Sequence, residues 1–90
     1  MKIIEINKWS ALEVRQVCID NRWYTRGDNA AYSLMLEFVD SNEPTVKNIH
    51  LVATDIMLHS NTDMDVTSIM FTLKRDAVRT FYEIEEEGEE

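Results

Sequence analysis

Cysteine, glycine and proline are scarce in this chain of 90 residues, which contains one cysteine, two glycines and one proline. A single cysteine, Cys18, cannot form an internal disulfide and is typical of a reducing compartment. Two glycines cannot build the loops that cradle phosphate groups or dinucleotides. No uninterrupted apolar run exceeds three residues, which excludes a membrane-spanning helix. Glu5, Lys8, Glu13 and Arg15 interrupt the apolar segment of a signal peptide, so we expect a cytoplasmic protein.

Basic residues are few, and they are absent from residues 83–90, where six of the 17 acidic residues lie. Without this segment, 11 acidic residues face nine basic ones, so most of the net charge of −8 belongs to the C-terminal segment. We interpret residues 1–82 as one globular domain and residues 83–90 as an acidic, solvated tail. The alternative is a tail that binds a basic surface or mimics a chain of phosphates.

The N-terminal pattern predicts a strand followed by a helix. Residues 2–7 alternate in a way that favours a short strand. Ser10 and Glu13 form a capping box, so we expect a helix from there to about Asn21. The side chains expected to be buried on this helix are Leu12, Val14, Val17 and Cys18.

A turn rich in aromatic and basic residues precedes the second predicted helix. Gly27 is expected where the backbone needs a positive φ angle, and Asp28 is the expected N-cap. The helix is predicted for residues 29–39. Its main apolar face is expected to contain Ala31, Leu34, Met35 and Phe38, and a weaker stripe contains Tyr32, Leu36 and Val39.

The third predicted helix covers residues 46–60, with Thr45 as its N-cap. Leu51 and Leu58 lie about 200° around the helix axis from its main face. We therefore expect a central helix that is buried on two sides. The alternative is that Leu51 and Leu58 form an exposed patch for a partner. The main face contains Val46, Ile49, Val52, Ala53, Ile56 and Met57.

A fourth helix is predicted after Asp65, which is its expected N-cap. The C-terminal pattern has two interpretations: a long helix that enters the tail, or a strand over residues 80–85 that pairs with residues 2–7. The strand is preferred because it gives the N-terminal strand a hydrogen-bonding partner. The predicted fold class is mainly α, a compact four-helix domain, with a short two-stranded antiparallel ribbon (α+β) under this interpretation. The apolar positions of the fourth helix are Val66, Ile69, Met70, Leu73 and Ala77.

The histidines, the loop at residues 61–65 and the single cysteine do not match the patterns of metal sites or catalytic nucleophiles. His50 and His59 are nine residues apart and would point to opposite sides of one helix. Residues 61–65 begin like a calcium loop, but Val66 stands where the loop requires glycine. Cys18 is expected to be a small core residue rather than a nucleophile. The sequence therefore predicts a protein that is not an enzyme and has no metal or cofactor.

The strongest candidate contacts are a turn and a set of acids. Trp23, Tyr24 and Arg26 are residue types that dominate protein hot spots, although Trp23 could instead pack the turn onto the core. With Arg15 and Arg22 they could also bind single-stranded nucleic acid, but a net charge of −8 opposes binding to duplexes. The candidate acidic contacts for a basic partner are Asp63, Asp65, Glu83, Glu85, Glu86 and Glu87.

Three segments carry a resemblance to a known group of proteins. They are residues 12–15 (LEVR), residues 23–29 (WYTRGDN) with Tyr32 after them, and residues 42–45 (NEPT). Here the chain resembles small acidic accessory proteins of Gram-positive mobile elements and prophages. Proteins of this kind include inhibitors of host defence nucleases, among them anti-CRISPR and anti-restriction proteins. The resemblance implies this context but assigns no functional residues, because no motif of an inhibitor family is matched.

The sequence therefore predicts a non-enzymatic protein–protein interaction module, an inhibitor that docks on a basic protein which handles nucleic acid. Two other classes stay open. One is a nucleic-acid-binding regulator with a helix-turn-helix formed by helices 2–3 or 3–4. The other is a homodimer that associates through Leu51 and Leu58.

Overall fold

The computed structural model describes residues 2–27 and 29–85. The elements are β1 (Lys2–Lys8), α1 (Ala11–Asp20), α2 (Ala30–Ser41), α3 (Val46–His59), α4 (Val66–Asp76) and β2 (Arg79–Glu85). The predicted four helices and the antiparallel ribbon are confirmed, so residues 79–85 form a strand and do not extend α4. Residues 83–85, predicted as part of the tail, belong to β2.

The two strands pair along their whole length, with Lys2 opposite Glu85 and Lys8 opposite Arg79. Seven residues of strand measure about 23 Å. The molecule is 59 Å long and only 22 and 21 Å across, and the two strands contact each other far more than they contact any helix. The ribbon therefore projects from the helical body.

Two buried residues hold the base of the ribbon on the helices. Trp9 follows β1 directly, is buried in the core, and donates from its Nε1 to the carbonyl oxygen of Asn42 at 2.6 Å. Ala77, just before β2, is also buried. Arg79 forms an ion pair with Glu13 of α1. The ribbon is thus anchored at one end only.

Three of the four predicted N-caps are confirmed. Ser10, Thr45 and Asp65 each accept a hydrogen bond from the backbone N–H three residues later, at 3.3, 3.1 and 2.8 Å. The N-cap of α2 is Asn29, one residue later than predicted, and its side chain does not cap the helix. Asp28 itself lies outside the described residues.

Helix α1 ends in a Schellman motif that has arginine where glycine is usual. The N–H of Trp23 donates to the carbonyl oxygen of Cys18 at 2.8 Å, and the N–H of Arg22 donates to that of Ile19 at 3.1 Å. Arg22 has a φ angle of 60°. In this motif the residue after the left-handed one commonly packs back on the helix. Trp23 occupies that position.

The core is a single cluster formed by all four helices and the two tryptophans. Met35 and Val39 are the buried residues of α2, and Tyr32 and Leu36 are packed against them. The buried face of α2 therefore combines Met35 of the predicted main face with Val39 of the predicted weaker stripe, and Leu34 is exposed. The fully buried large side chains are Met35, Ile56, Ile69, Leu73, Val14, Val39 and Val52.

Several apolar side chains that were expected in the core are exposed. Leu12 of α1 is exposed, and so is Val46, with 75% of its surface accessible. Leu51 and Leu58 are 44% and 58% exposed, so the prediction that α3 is buried on two sides is wrong. The reason is that α2 and α4, its neighbours, cover one side of α3. Across the described ranges, every helix falls short of the length and apolarity that a bilayer-spanning helix needs.

Candidate interaction site

The aromatic turn, residues 22–27, is fixed to the C-terminal end of α3 by backbone hydrogen bonds. The N–H of Arg26 donates to the carbonyl oxygen of His59 at 3.0 Å. The backbone N–H of Tyr24 donates to the side-chain oxygen of Asn61 at 2.8 Å, and the carbonyl oxygen of Tyr24 accepts from the Asn61 N–H at 3.0 Å. Gly27 has a φ angle of 64°, as predicted. The turn is therefore a fixed part of this end of the molecule.

The predicted contact residues of this turn differ in their exposure to solvent. Trp23 is only 4% exposed, because its place in the Schellman motif directs it into the core, and it lines the inner wall of an open cavity of about 430 Å³ with Arg15 and Tyr24. Tyr24 is 56% exposed, and Arg26 is exposed as well. Asp63 is exposed two residues after Asn61, so it belongs to the same end of the molecule as Tyr24 and Arg26.

The predicted acidic contacts do not form one surface. The Asp65 carboxylate caps α4, and its hydrogen bonds with Ser68 lower its pKa. Glu83 lies on the ribbon, opposite Ile4. Pro44 and Thr45, which precede α3, adjoin the ribbon, whereas His59 adjoins the aromatic turn. Glu83 and Asp63 are therefore separated by the length of α3, about 21 Å. Residues 86 and 87 lie outside the described part of the chain.

The interior beside the aromatic turn contains Cys18 and Tyr32. Burial raises the pKa of the Cys18 thiol from 9.0 to about 11, and burial also raises the pKa of Tyr32 to about 12. Both groups therefore stay protonated at neutral pH. The Tyr32 hydroxyl is buried and has no hydrogen-bond partner of good geometry among the described residues. A protonated, buried thiol is a poor nucleophile.

The two histidines do not approach each other. His50 and His59 are both exposed, near the middle and at the end of α3. Within residues 2–27 and 29–85, no three histidine, cysteine or acidic side chains lie close enough to bind one metal ion.

An open cavity lies where the ribbon meets the helices, and we call it the base groove. Its volume is about 580 Å³. Val46, the first residue of α3, and Phe71, on the outer side of α4, line it and are 75% and 66% exposed. The other apolar side chains that line the base groove are Pro44, Ile49, Met70 and Val78.

The base groove continues onto one face of the ribbon. Glu5, Asn7 and Thr80 line the groove. Because side chains alternate along a strand, these residues share a face with three exposed apolar side chains farther out. We call this the ribbon face, and its outer apolar members are Ile3, Tyr82 and Ile84.

Sequence reasoning missed this surface for a clear reason. Val46 follows the spacing of the main face of α3, but its position in the first turn leaves it beyond the helices that cover that face. Phe71 lies between Ile69 and Leu73 and faces away from both. A large aromatic residue off the buried stripe of an amphipathic helix was the signal available in the sequence.

The charges around the base groove have both signs. Glu5 and Lys74 line it, Glu43 lines an adjoining cavity with Pro44 and Thr45, and the Arg75 guanidinium lies over the Phe71 ring, 5.8 Å from its centre. The surface thus combines an apolar centre with a charged border, and an apolar centre with a polar rim is usual in a protein interface.

No protein-family model, curated protein or solved structure matches this chain at a significant level. The assignment of a site therefore depends on the geometry and chemistry of the described residues. On these grounds the base groove and the ribbon face are the best candidate. They join an open cavity of about 580 Å³ with apolar walls to the ribbon that projects from the helices.

Proposed function

We propose that this protein is a non-enzymatic interaction module that binds another protein through the base groove and the ribbon face. One observation carries the proposal: Val46 and Phe71 are largely exposed on either side of an open apolar groove that extends onto the ribbon. Keeping two such side chains in water is unfavourable, by roughly 25 cal/mol for each Å² of apolar surface. Contiguous exposed apolar surfaces of this kind typically mark sites of interaction.

The shape of the surface favours a protein as the ligand. The base groove is open, with apolar walls, and it can receive one large apolar side chain of a partner. The ribbon face beside it can then cover the surrounding backbone of that partner. A central apolar anchor with polar surroundings is the arrangement in which a few residues supply most of the binding energy.

The charges favour a basic partner. Glu5 and Glu43 lie around the base groove, and the sequence after β2 adds further glutamates. A partner with arginine or lysine around an apolar anchor is therefore complementary to this surface, and the attraction would accelerate association. A nuclease of a host defence system is the partner class that the resemblance suggests, and in that case the protein acts as its inhibitor.

The experiment compares binding to purified candidate nucleases by calorimetry at increasing salt. The test variants are Phe71→Asp and Val46→Asp, which place a charge in the base groove. The matched control is Leu12→Asp, because Leu12 is equally exposed on α1, away from the groove. We expect the groove variants to weaken binding about 100-fold, as the loss of a hot spot does. We expect the control to bind like the native protein.

Two outcomes would reject the proposal. Binding that survives Phe71→Asp and Val46→Asp unchanged would remove the groove from the interface. Equal loss in Leu12→Asp would show a general effect of surface charge. A gel-shift assay with duplex DNA at low salt addresses the alternative of a nucleic-acid-binding regulator, for which we expect no shift because of the acidic net charge.

A further inference from the structure

One edge of β2 is available for pairing. In the described part of the chain, the sheet has two strands, so the side of β2 that faces away from β1 carries backbone groups without a strand partner. Two-stranded ribbons are marginally stable in water, and a third strand stabilises them. An exposed edge of this kind is a template for another strand.

The two edges of the ribbon differ in the charges that a second copy would meet. A twofold axis perpendicular to the sheet relates two antiparallel copies of the same strand. Facing residues then lie on the same side of the sheet, so their numbers add up to an even number. This rule decides which charged residues of a strand can face each other across such an axis.

The edge of β2 satisfies this rule with opposite charges. A register centred on Phe81 places Arg79 opposite Glu83 of the second copy. This central register therefore pairs the arginine with a glutamate, twice by symmetry. Opposite charges directly across a strand pair are stabilising.

The edge of β1 fails the same test. Its charged residues are Lys2, Glu5 and Lys8. The numbers of Glu5 and either lysine add up to an odd number, so no twofold antiparallel register can place them opposite each other. The central register instead places Glu5 on Glu5 and Lys2 on Lys8, which is repulsive. Self-pairing through β1 is therefore disfavoured.

We propose that a second copy of this chain pairs its β2 with the outer edge of β2, and forms a four-stranded antiparallel sheet across a twofold axis. The exposed aromatic residues support this pairing. Phe81 and Tyr82 are 51% and 69% exposed, and Phe81 meets its own copy at the axis. Aromatic pairs across strands add to the stability of a sheet.

Arg79 is held near the strand edge by a residue of its own chain. Its ion pair with Glu13 holds it at the start of β2. A guanidinium group has five N–H donors, so it can donate hydrogen bonds to Glu13 and to a second carboxylate at the same time. The pairing uses backbone groups at the strand edge, whereas the ribbon face is formed by side chains that point away from the plane of the sheet. The dimer therefore goes beyond the proposed function and presents two copies of the same binding surface.

The test measures molecular mass by analytical ultracentrifugation of the full chain. Interfaces that bury less than about 1,200 Å² in total are typically weak, so concentrations from about 10 µM to about 1 mM are required. Two charge variants are prepared: Arg79→Glu and Glu83→Arg. Each should weaken dimerisation about tenfold, because two attractive pairs become repulsive. Circular dichroism checks that both variants fold.

Mixing the two variants gives the decisive result. In the mixed dimer every glutamate at position 79 faces an arginine, and every Arg79 faces a glutamate, so dimerisation should return to the native level. A folding defect would not be repaired by mixing. Two further variants accompany it: Glu13→Gln, which removes the partner of Arg79 within the chain, and the control Glu37→Arg, which reverses an exposed charge on α2. Glu37→Arg should dimerise like the native protein, and Glu13→Gln should weaken dimerisation less than either charge variant.

Four results would overturn the inference. The first is a single-chain mass at all concentrations. The second is masses that grow beyond two chains, which indicate open pairing of β1 with β2. The third is a dimer that neither charge variant weakens. The last is a mixture that fails to recover.

Discussion

The burial of Trp23 makes a strong prediction for its replacement by alanine. This side chain is 4% exposed and lies at the end of α1, where the Schellman motif turns it into the core. Truncating a buried tryptophan to alanine costs about 3–5 kcal/mol, from lost transfer energy and the cavity that remains. A domain of 90 residues has a total stability of roughly 5–13 kcal/mol. We therefore expect Trp23→Ala to be at the limit of folding.

The measurement is urea unfolding followed by far-UV circular dichroism. Trp23→Phe is the milder variant, and we expect about 1–2 kcal/mol of destabilisation because most of the apolar volume remains. Tyr24→Ala is the matched control. It removes the exposed neighbouring aromatic side chain and leaves the two backbone hydrogen bonds to Asn61 in place. For this control we expect a change below about 0.5 kcal/mol.

One result would refute the reasoning. If Trp23→Ala unfolded at the same urea concentration as Tyr24→Ala, Trp23 would not be a core residue. The hypothesis that Trp23 is a contact for a partner would then return. The same variants would test it, since a contact residue affects binding without affecting the free energy of unfolding.

Three further predictions concern backbone and proton effects. Burial raises the pKa of Cys18 from 9.0 to about 11, so between these pH values the unfolded chain loses a proton that the folded chain keeps. Stability should fall by on the order of 2 kcal/mol across that window, and urea titrations of Cys18→Ala should lose this part of the slope. Arg22→Gly should raise the melting temperature by relieving the φ angle of 60°, worth about 0.5–1 kcal/mol, and a lower melting temperature would contradict this. Thr45→Ala should cost about 1 kcal/mol in chemical denaturation and Asn29→Ala clearly less, because only Thr45 makes a capping bond; equal costs would be inconsistent with the caps described.

The elements of the fold could be predicted because they depend on neighbours in the chain. Ser10, Thr45 and Asp65 cap their helices through an N–H three residues away, so a short window of sequence contains both partners. The alternation in residues 2–7 and the strand-forming residues near the C-terminus were equally visible, and the need of one strand for another suggested their pairing.

The buried faces were harder to predict than the elements. In α2 both predicted stripes are apolar, and the contacts with α1 and α3 bury one residue of each, Met35 and Val39. Leu58 has the right composition for a core residue, but α2 and α4 do not cover its side of α3. Hydrophobicity permits burial, and only the arrangement of neighbouring helices decides it.

The sequence by itself determined four helices, most of their caps and two strands, because these follow from interactions between residues close in the chain. The tertiary structure alone decided that Trp23 is buried beside an exposed Tyr24, and that Val46 and Phe71 flank one groove. It also set the ribbon register that leaves Arg79 and Glu83 on a strand edge. Each of these features depends on contacts between residues far apart in the chain, and the local pattern of side chains does not contain those contacts.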